Sequence, residues 1–417
     1  MQIQKAKQGY KLVNSTFGKY EIPEEWEITS LENCCNVLDS KRVPINSEER
    51  SKMKGNIPYY GANGVQDYIN QHIFDEDLIL LAEDGGYFDE YQTRPIAYYV
   101  KGKCWVNNHA HVLTNKIGFD QKWIFYSLVH KNILPWINGT TRTKLNQSEL
   151  LKIEISKPHI KEQEKIASIL SNVDSLIQQT QEIIEQTQRL KKGLMQKLLT
   201  KGIEHATFKF ENIGKRFLNV EIPKTWDMKK FMDIITVHDN YIELDDNIAY
   251  TRITVKRRHE GVVLRDIVKG KEILTKNQYQ VRSGDFVVSR RQIIHNACGL
   301  IPKEFDGAVV SNEYSSFSGS KYLDIDYFDW FSQTDLFKKT IIVTTHGVDI
   351  EKYVFLLDEW LKLKMPLPSI SEQKKIVEIL LNVENKLTKE QRYKSYLESL
   401  KKGVMQKLLT GQIRVKL

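Results

Sequence analysis

The sequence predicts an α+β protein. Two mixed α/β domains are separated by two long helices that form an antiparallel coiled coil, and a pseudo-two-fold internal repeat relates the halves. The first observation behind this is self-similarity. Residues 162–200 read EQEKIASILSNVDSLIQQTQEIIEQTQRLKKGLMQKLLT and residues 372–410 read EQKKIVEILLNVENKLTKEQRYKSYLESLKKGVMQKLLT, with 19 of 39 positions identical at a constant offset of 210. The second is an upstream echo at offset 200. Ile22-Pro23-Glu24-Glu25-Trp26 matches Ile222-Pro223-Lys224-Thr225-Trp226, and Phe17 matches Phe217. The third is that roughly 28–157 and 228–367, between the echoes, share no visible similarity. The chain is thus one frame used twice with different contents, divided at 1–157, 158–203, 204–367 and 368–417.

The long repeats have helical periodicity. Ile169, Val173, Leu176, Thr180, Ile183, Thr187, Leu190 and Leu194 step by alternating fours and threes, the spacing of a coiled-coil seam. The second seam keeps Ile379, Val383, Tyr393, Leu397, Leu400 and Val404. It carries Lys386 and Glu390 at its centre, where Leu387 offers the stripe another path. Pro158 and Pro368 precede the starts, and Ser369 to Glu372 has capping-box spacing. Gly202 and Gly411 suit the C-terminal caps. Gly193 and Gly403 recur inside the helices, where each costs ~1 kcal/mol against alanine. That cost suggests either close approach of another backbone or an early helix end. A rod of about 38 residues spans roughly 57 Å. Neither helix has a continuous partner in its own half, so pairing with each other, antiparallel, is the economical arrangement. It would place the two domains at opposite ends of the rod.

The intervening domains read as mixed α/β. Strand-like runs occupy 77–81, 95–100 and 106–114 in the first and 249–255, 261–265, 285–290 and 307–311 in the second. Helices are expected at 122–130 and near 327–340. Composition excludes several classes. The chain has 417 residues, 41% hydrophobic and 27% charged, with no apolar run approaching the ~20 residues of a spanning helix. Its start lacks a secretory h-region. Cys34, Cys35, Cys104 and Cys298 form no C-x-x-C pair and no disulfide framework, which points to a reducing cytoplasm.

The net charge of +8 is concentrated. Residues 251–303 hold twelve Lys and Arg against four Asp and Glu, as much as the whole chain. Arg252, Thr254, Lys256, Arg257 and Arg258 lie on and beyond a strand, and Arg290, Arg291 and Gln292 follow another. These residue types clamp phosphates and read base edges. In the first domain the candidates are Tyr59, Tyr60 and Asn63 in a turn-rich aromatic run. Asn107, Asn108 and His109 follow at a strand end, and Thr141, Arg142 and Lys144 lie in a hydroxyl-rich basic loop. A metal reading of Cys104, His109 and His111 lacks both a zinc spacing and a fourth ligand. Residues 75–90 carry seven acids and no base, which reads as a solvated edge ahead of a divalent-metal nuclease site. No G-x-x-x-x-G-K-[ST] loop, Asn/Asp-Pro-Pro-aromatic run, H-E-x-x-H or Ser/His/Asp set is legible. The pattern is that of a recognition device rather than a self-sufficient nuclease or methyltransferase. A protein-binding coiled-coil scaffold is the remaining alternative.

IPEEW and IPKTW open the halves, EQEKIASIL and EQKKIVEIL open the helices, and LKKGLMQKLLT and LKKGVMQKLLT close them. With these, the chain resembles the specificity subunit of type I restriction-modification systems over essentially its whole length. IPYYGANGVQDY, LLAEDGG and WVNNHAHVL resemble one class of target-recognition domain, and TRITVKRRHEGVVLRD another. The resemblance implies a non-catalytic subunit in which each target-recognition domain reads half of a bipartite site on double-stranded DNA. It implies that the helices set the spacing and dock two modification subunits; by the seam spacing above, they pair through Ile169, Val173, Leu176, Ile183, Leu190, Ile379, Val383, Leu397 and Leu400. No cofactor or metal is expected in this chain. S-adenosylmethionine is expected with the modification subunits, for adenine-N6 methylation, and ATP and Mg²⁺ with the restriction subunits, for translocation and cleavage. No membrane partner is expected.

Overall fold

The computed structural model describes residues 6–139, 143–215, 218–347 and 353–417. It separates into two units: Met1–Gln181 with Arg392–Leu417, and Glu182–Gln391. Each opens with a hairpin, Tyr10–Ser15 against Gly18–Pro23 in the first and Phe208–Asn212 against Asn219–Pro223 in the second. A short strand then pairs antiparallel with the strand that leads into a long helix. These pairs are Glu27–Ser30 with Glu154–Lys157 and Asp227–Lys230 with Lys364–Leu367.

An inner four-stranded antiparallel sheet follows, of the same order in both units. In the first it runs Cys35–Val37, Ala110–Asn115, Leu78–Ala82, Ala97–Val100. In the second it runs Ile235–His238, Tyr314–Gly319, Phe286–Ser289, Cys298–Leu300. Leu78–Ala82 is buried at every position because both its faces are covered. Ile79 and Leu81 enter the core shared with the helices, and Leu78 and Leu80 enter a second core. Phe286 and Val288 against Val287 divide in the same way. The second core is closed by an outer sheet, and here the units differ. Among the described residues, the first has four strands, Gly64–Ile69, Lys54–Gly61, Lys103–Val106 and Phe74–Asp75. The second has five, Tyr241–Ile242, Gln278–Gln280, Val309–Ser311, Ala249–Val255 and Val262–Lys269. The repeat of the frame therefore extends well beyond the segments alike in sequence, and the unlike content is the outer sheet.

Two expected elements divide. The run 106–114 breaks at Asn107–His109 into the ends of Lys103–Val106 and Ala110–Asn115. The helix expected near 327–340 is two, Ile325–Phe331 and Asp335–Val343, because Thr334 caps the second by accepting from the Phe337 amide at 3.2 Å.

The long helices are Ile160–Lys201 and Ile370–Leu409. Each unit joins the first part of one to the last part of the other, so they run antiparallel. Ile166 and Leu170 share a core with Met405 and Leu408 in the first unit, as Ile376 and Leu380 do with Leu198 and Leu199 in the second. The stripe that is buried or half-buried is Ile166, Leu170, Val173, Ile177, Thr180, Ile184, Thr187, Lys191, Leu194 and Leu198, and its equivalents 210 residues on. This corrects the expected register. Val173, Ile379, Val383 and Leu397 lie in or beside the seam, and Ile169 packs at its edge. Leu176, Ile183, Leu190 and Leu400 are 38–54% exposed and do not pair the helices. The cause is the adjacent apolar pairs Leu176-Ile177 and Ile183-Ile184, which satisfy a 3.5-residue spacing in either of two registers. The polar seam positions hold matched ion pairs, Lys401 to Asp174 and Lys191 to Glu384, each at 2.5 Å.

The Glu-Gln pair that opens each helix is a joint. Trp26 Nε1 donates to Glu162 at 2.9 Å and Trp226 Nε1 to Glu372 at 3.1 Å. Gln163 and Gln373 each donate to the carbonyl of the preceding proline at 2.9 Å. Their Oε1 atoms accept the amides of Asp120 and Asp324, the N-caps of the domain helices Gln121–Leu128 and Ile325–Phe331. The partners of the glutamate other than tryptophan differ. Glu162 receives Arg414 at 2.7 and 3.0 Å, whereas Glu372 receives His205 at 2.8 Å and the Ile203 amide at 3.0 Å. Gly202 and Gly411, at φ +67° and +71°, cap the helices as expected. Gly193 and Gly403 have open space where a Cβ would lie, among the described residues, so no neighbouring backbone requires them.

Candidate nucleic-acid interface

In the first unit, Asn107–His109 turns the chain from the outer sheet to the inner one. Asn107 is 4% exposed, and its amide is engaged at both ends. Its Oδ1 accepts the His109 amide at 2.8 Å and its Nδ2 donates to Gln66 Oε1 at 3.2 Å. His109 Nδ1 lies 2.5 Å from Asp84 Oδ1, which directs the other ring nitrogen outward. Asn108 is exposed. With Asn46, Arg50 and Gln66, these residues line a depression of about 430 Å³.

Beneath it lies an ion-paired cluster. His111 Nδ1 meets Asp39 at 2.5 Å and Nε2 meets the Leu145 carbonyl at 2.8 Å. Arg42 and Lys144 reach Glu83 at 2.6 and 3.0 Å. Burial pushes the Glu83 carboxyl up, but the bonds from Arg42 and Lys144 outweigh it and hold the group below the usual carboxylate range. Asp39, Glu83 and His111 place ligand atoms within 4.8 Å of one another, but Arg42 and Lys144 already balance the carboxylates. The arrangement is a brace between loop and strands. Cys104 lies apart, in the apolar core with Phe74 and Val106.

In the second unit the basic hairpin tip docks on the turn after Gln292. Arg258 and His259 adopt left-handed backbone, φ +60° and +55°. Their amides donate to the carbonyls of His295 and Asn296 at 2.8 and 3.0 Å. Lys256, Arg257 and Arg258 are exposed there. The fold thus brings both basic runs together. Arg252 grips Asp266 through two bonds of 2.6 and 2.7 Å, and Arg291 pairs with Glu313 at 2.6 Å. Arg290 Nε donates to Ser315 at 2.9 Å, and Gln292 is half-buried. Thr254 lies within its strand, opposite Val263.

Not every candidate is placed to touch a ligand. Tyr59 is 1% exposed, packed with Ile69 and Trp105, and its hydroxyl donates to the Ile45 carbonyl at 3.3 Å. Tyr59 and Asn107 are therefore nearly buried members of the depression's lining that hold its exposed residues in place, because the outer sheet needs a core of its own. Tyr60 is half-buried, and Asn63 donates to the Gly85 carbonyl at 2.9 Å. Lys144 is held by Glu83. Thr141 and Arg142 lie outside the described residues. The sequence reading missed Asn46, Arg50 and Gln66, which lie 41 to 63 residues from the Asn-Asn-His run; the parallel pairing of Trp105 and Val106 with Tyr59 and Tyr60, and of that strand with the one carrying Gln66, joins the two stretches.

Residues 23–189 and 223–398 match a family model described as the type I restriction modification DNA specificity domain. The chain is 28% identical to the type I restriction enzyme MjaVIII specificity subunit of Methanocaldococcus jannaschii, over 95% of this chain and 94% of that protein. A putative type I restriction enzyme specificity subunit of Haemophilus influenzae is 33% identical over 36% of this chain and 38% of its own length. Among solved structures, the S subunit of a type I restriction-modification system from M. genitalium shares the fold. Its TM-score is 0.57 at 14% identity, covering 94% of this chain and 96% of that one.

Proposed function

The chain belongs to the type I restriction-modification DNA specificity family, and on that premise we propose that it reads a bipartite sequence on double-stranded DNA, one half-site per unit. Residues 1–157 and 204–367 are the two readers. The helical segments 158–203 and 368–417 set the spacing between the half-sites and dock two modification subunits. Those partners supply S-adenosylmethionine for adenine-N6 methylation, and restriction subunits supply the ATP- and Mg²⁺-dependent steps. This chain contributes recognition and no bond chemistry.

The observation that carries this reading is the contrast between frame and content. Hairpin, inner sheet and Trp–Glu–Gln joint recur in both units, while the outer sheets differ in strand number and charge. A repeated mount with unlike surfaces suits a reader of two unlike half-sites, as linked DNA-binding modules read spaced sites. The test is methylome sequencing of cells that express this chain with its modification subunit. One split N6-methyladenine motif is expected. Expression of both subunits without any such motif would overturn the reading.

A further inference from the structure

We infer that Gln66 is a base-reading residue of the first unit, suited to the N6/N7 edge of an adenine in the major groove; this rests on the DNA-reading function proposed above. Three independent features aim its carboxamide. First, Gln66 is the extra residue of a β-bulge. Asp67 faces Tyr59 and Val65 faces Tyr60, so Gln66 has no residue opposite it. A bulge re-aims a side chain that regular pleating would place elsewhere. Second, Gly61 clears its path. A Cβ at residue 61 would collide with Gln66 Cδ and Nε2. Third, Asn107 Nδ2 donates to Gln66 Oε1, and Asn107 is itself fixed by the His109 amide. That bond sets the amide flip: Nε2 is turned away from Asn107, and Oε1 keeps a second lone pair.

The result is an exposed carboxamide with a preset orientation and no hydrogen-bond partner for Nε2 among the described residues. It sits on the wall of a polar depression beside Asn108 and His109. A structural glutamine would have both ends of its amide engaged. This one has its acceptor held and its donor presented, the geometry that pairs with adenine N7 while the free lone pair of Oε1 receives N6–H.

The test uses the full chain with its modification subunit. Competition binding is measured on duplexes substituted at each position of the first unit's half-site, alongside methylomes. Wild type should lose roughly 5- to 150-fold at one adenine, and should lose similarly when that adenine is replaced by 7-deazaadenine. Gln66→Ala should lose discrimination at that position alone, and Gly61→Ala, which displaces the side chain, should do the same. The second half-site and the spacer should not change. Discrimination by Gln66→Ala within twofold of wild type, with Asn108→Ala altering the half-site, would overturn the assignment and leave the DNA-reading function standing. If Gln66→Ala abolishes binding altogether, the 7-deazaadenine series on wild type decides, and indifference to it at every adenine overturns the assignment. Absence of any split motif for wild type would remove the DNA-reading function itself.

Discussion

Replacing Arg414 with alanine should loosen the first unit and leave the second alone. The guanidinium makes two bonds to Glu162, at 2.7 and 3.0 Å, and one to Glu25 at 2.7 Å. The Glu162 side chain is 2% exposed and Arg414 39%. Removing one partner of a buried pair costs about 3–5 kcal/mol when the remaining charge stays dry. Here the arginine side opens to solvent, and Trp26 Nε1 still donates at 2.9 Å. Water can therefore recover part of the loss, and about 2–3 kcal/mol is expected. The guanidinium also lies 5.9 Å from the Trp26 ring, a contact worth about 0.5–1 kcal/mol of that total. Two interleaved units rule out a single two-state fit, so the readout is hydrogen exchange resolved by peptide. Protection should fall about 30- to 150-fold, the same energy expressed as a ratio, in peptides around 22–34 and 160–170. Glu162→Gln in the Arg414→Ala background should restore part of it, since an amide tolerates burial without a cation. His205→Ala should cost the second unit less, because Glu372 keeps the Ile203 amide and Trp226. A change below about 0.5 kcal/mol, or equal losses in both units, would refute the joint as described.

Gly193→Ala and Gly403→Ala should each stabilise the long helices by about 0.5–1 kcal/mol, measured by hydrogen exchange resolved by peptide, because open space receives the methyl group and helical entropy favours it. Burial and the neighbouring Asp326 raise the Asp329 carboxyl to about 6. A carboxyl whose folded pKa is raised supports the fold fully below about 4 and loses that support as pH rises through 6. The second unit should weaken across that interval, and Asp329→Asn should flatten the profile in pH-resolved hydrogen exchange. Replacing Lys256 and Arg258 together by alanine should weaken DNA binding across sequences and lower the salt slope by about 0.9 for each phosphate no longer neutralised. An unchanged slope would mean the hairpin tip does not meet the backbone.

The architecture is legible in the sequence where physics acts locally. Alternating threes and fours, a proline before each start and a glycine after each end specify the long helices whatever surrounds them. The seam register is not local. Leu176 and Ile177 are equally apolar, and only the partner helix decides which is covered. The candidate site divides in the same way. The basic hairpin tip is visible because turn residues and cations lie together in the chain. Tyr59 looks like a surface aromatic until the outer sheet closes over it, and Gln66 gains significance only from a bulge and from an asparagine 41 residues away. The Glu-Gln pair shows as a repeat, but its purpose needs Trp26 and Asp120, which no periodicity connects to it.

The two units face different folding problems. The second is one continuous stretch, Glu182–Gln391, and can complete its core while the last segment is still absent. The first draws on both ends of the chain. Met405 and Leu408 enter its core, Tyr10 donates to the Gly411 carbonyl at 2.8 Å, and Arg414 seals Glu162. These contacts span up to about 400 residues, so loop closure delays them until the intervening chain is compact. The second unit should therefore gain protection first when the denatured chain refolds, and the first unit only after its last segment docks. Pulse-labelling hydrogen exchange measures the order directly. Removal of residues 411–417 sharpens the test: it should slow or abolish protection around Trp26 and leave the second unit's kinetics unchanged. Simultaneous protection of both units in the intact chain would mean that the long helices pair before either sheet forms, and that the frame nucleates at the seam rather than in the domains.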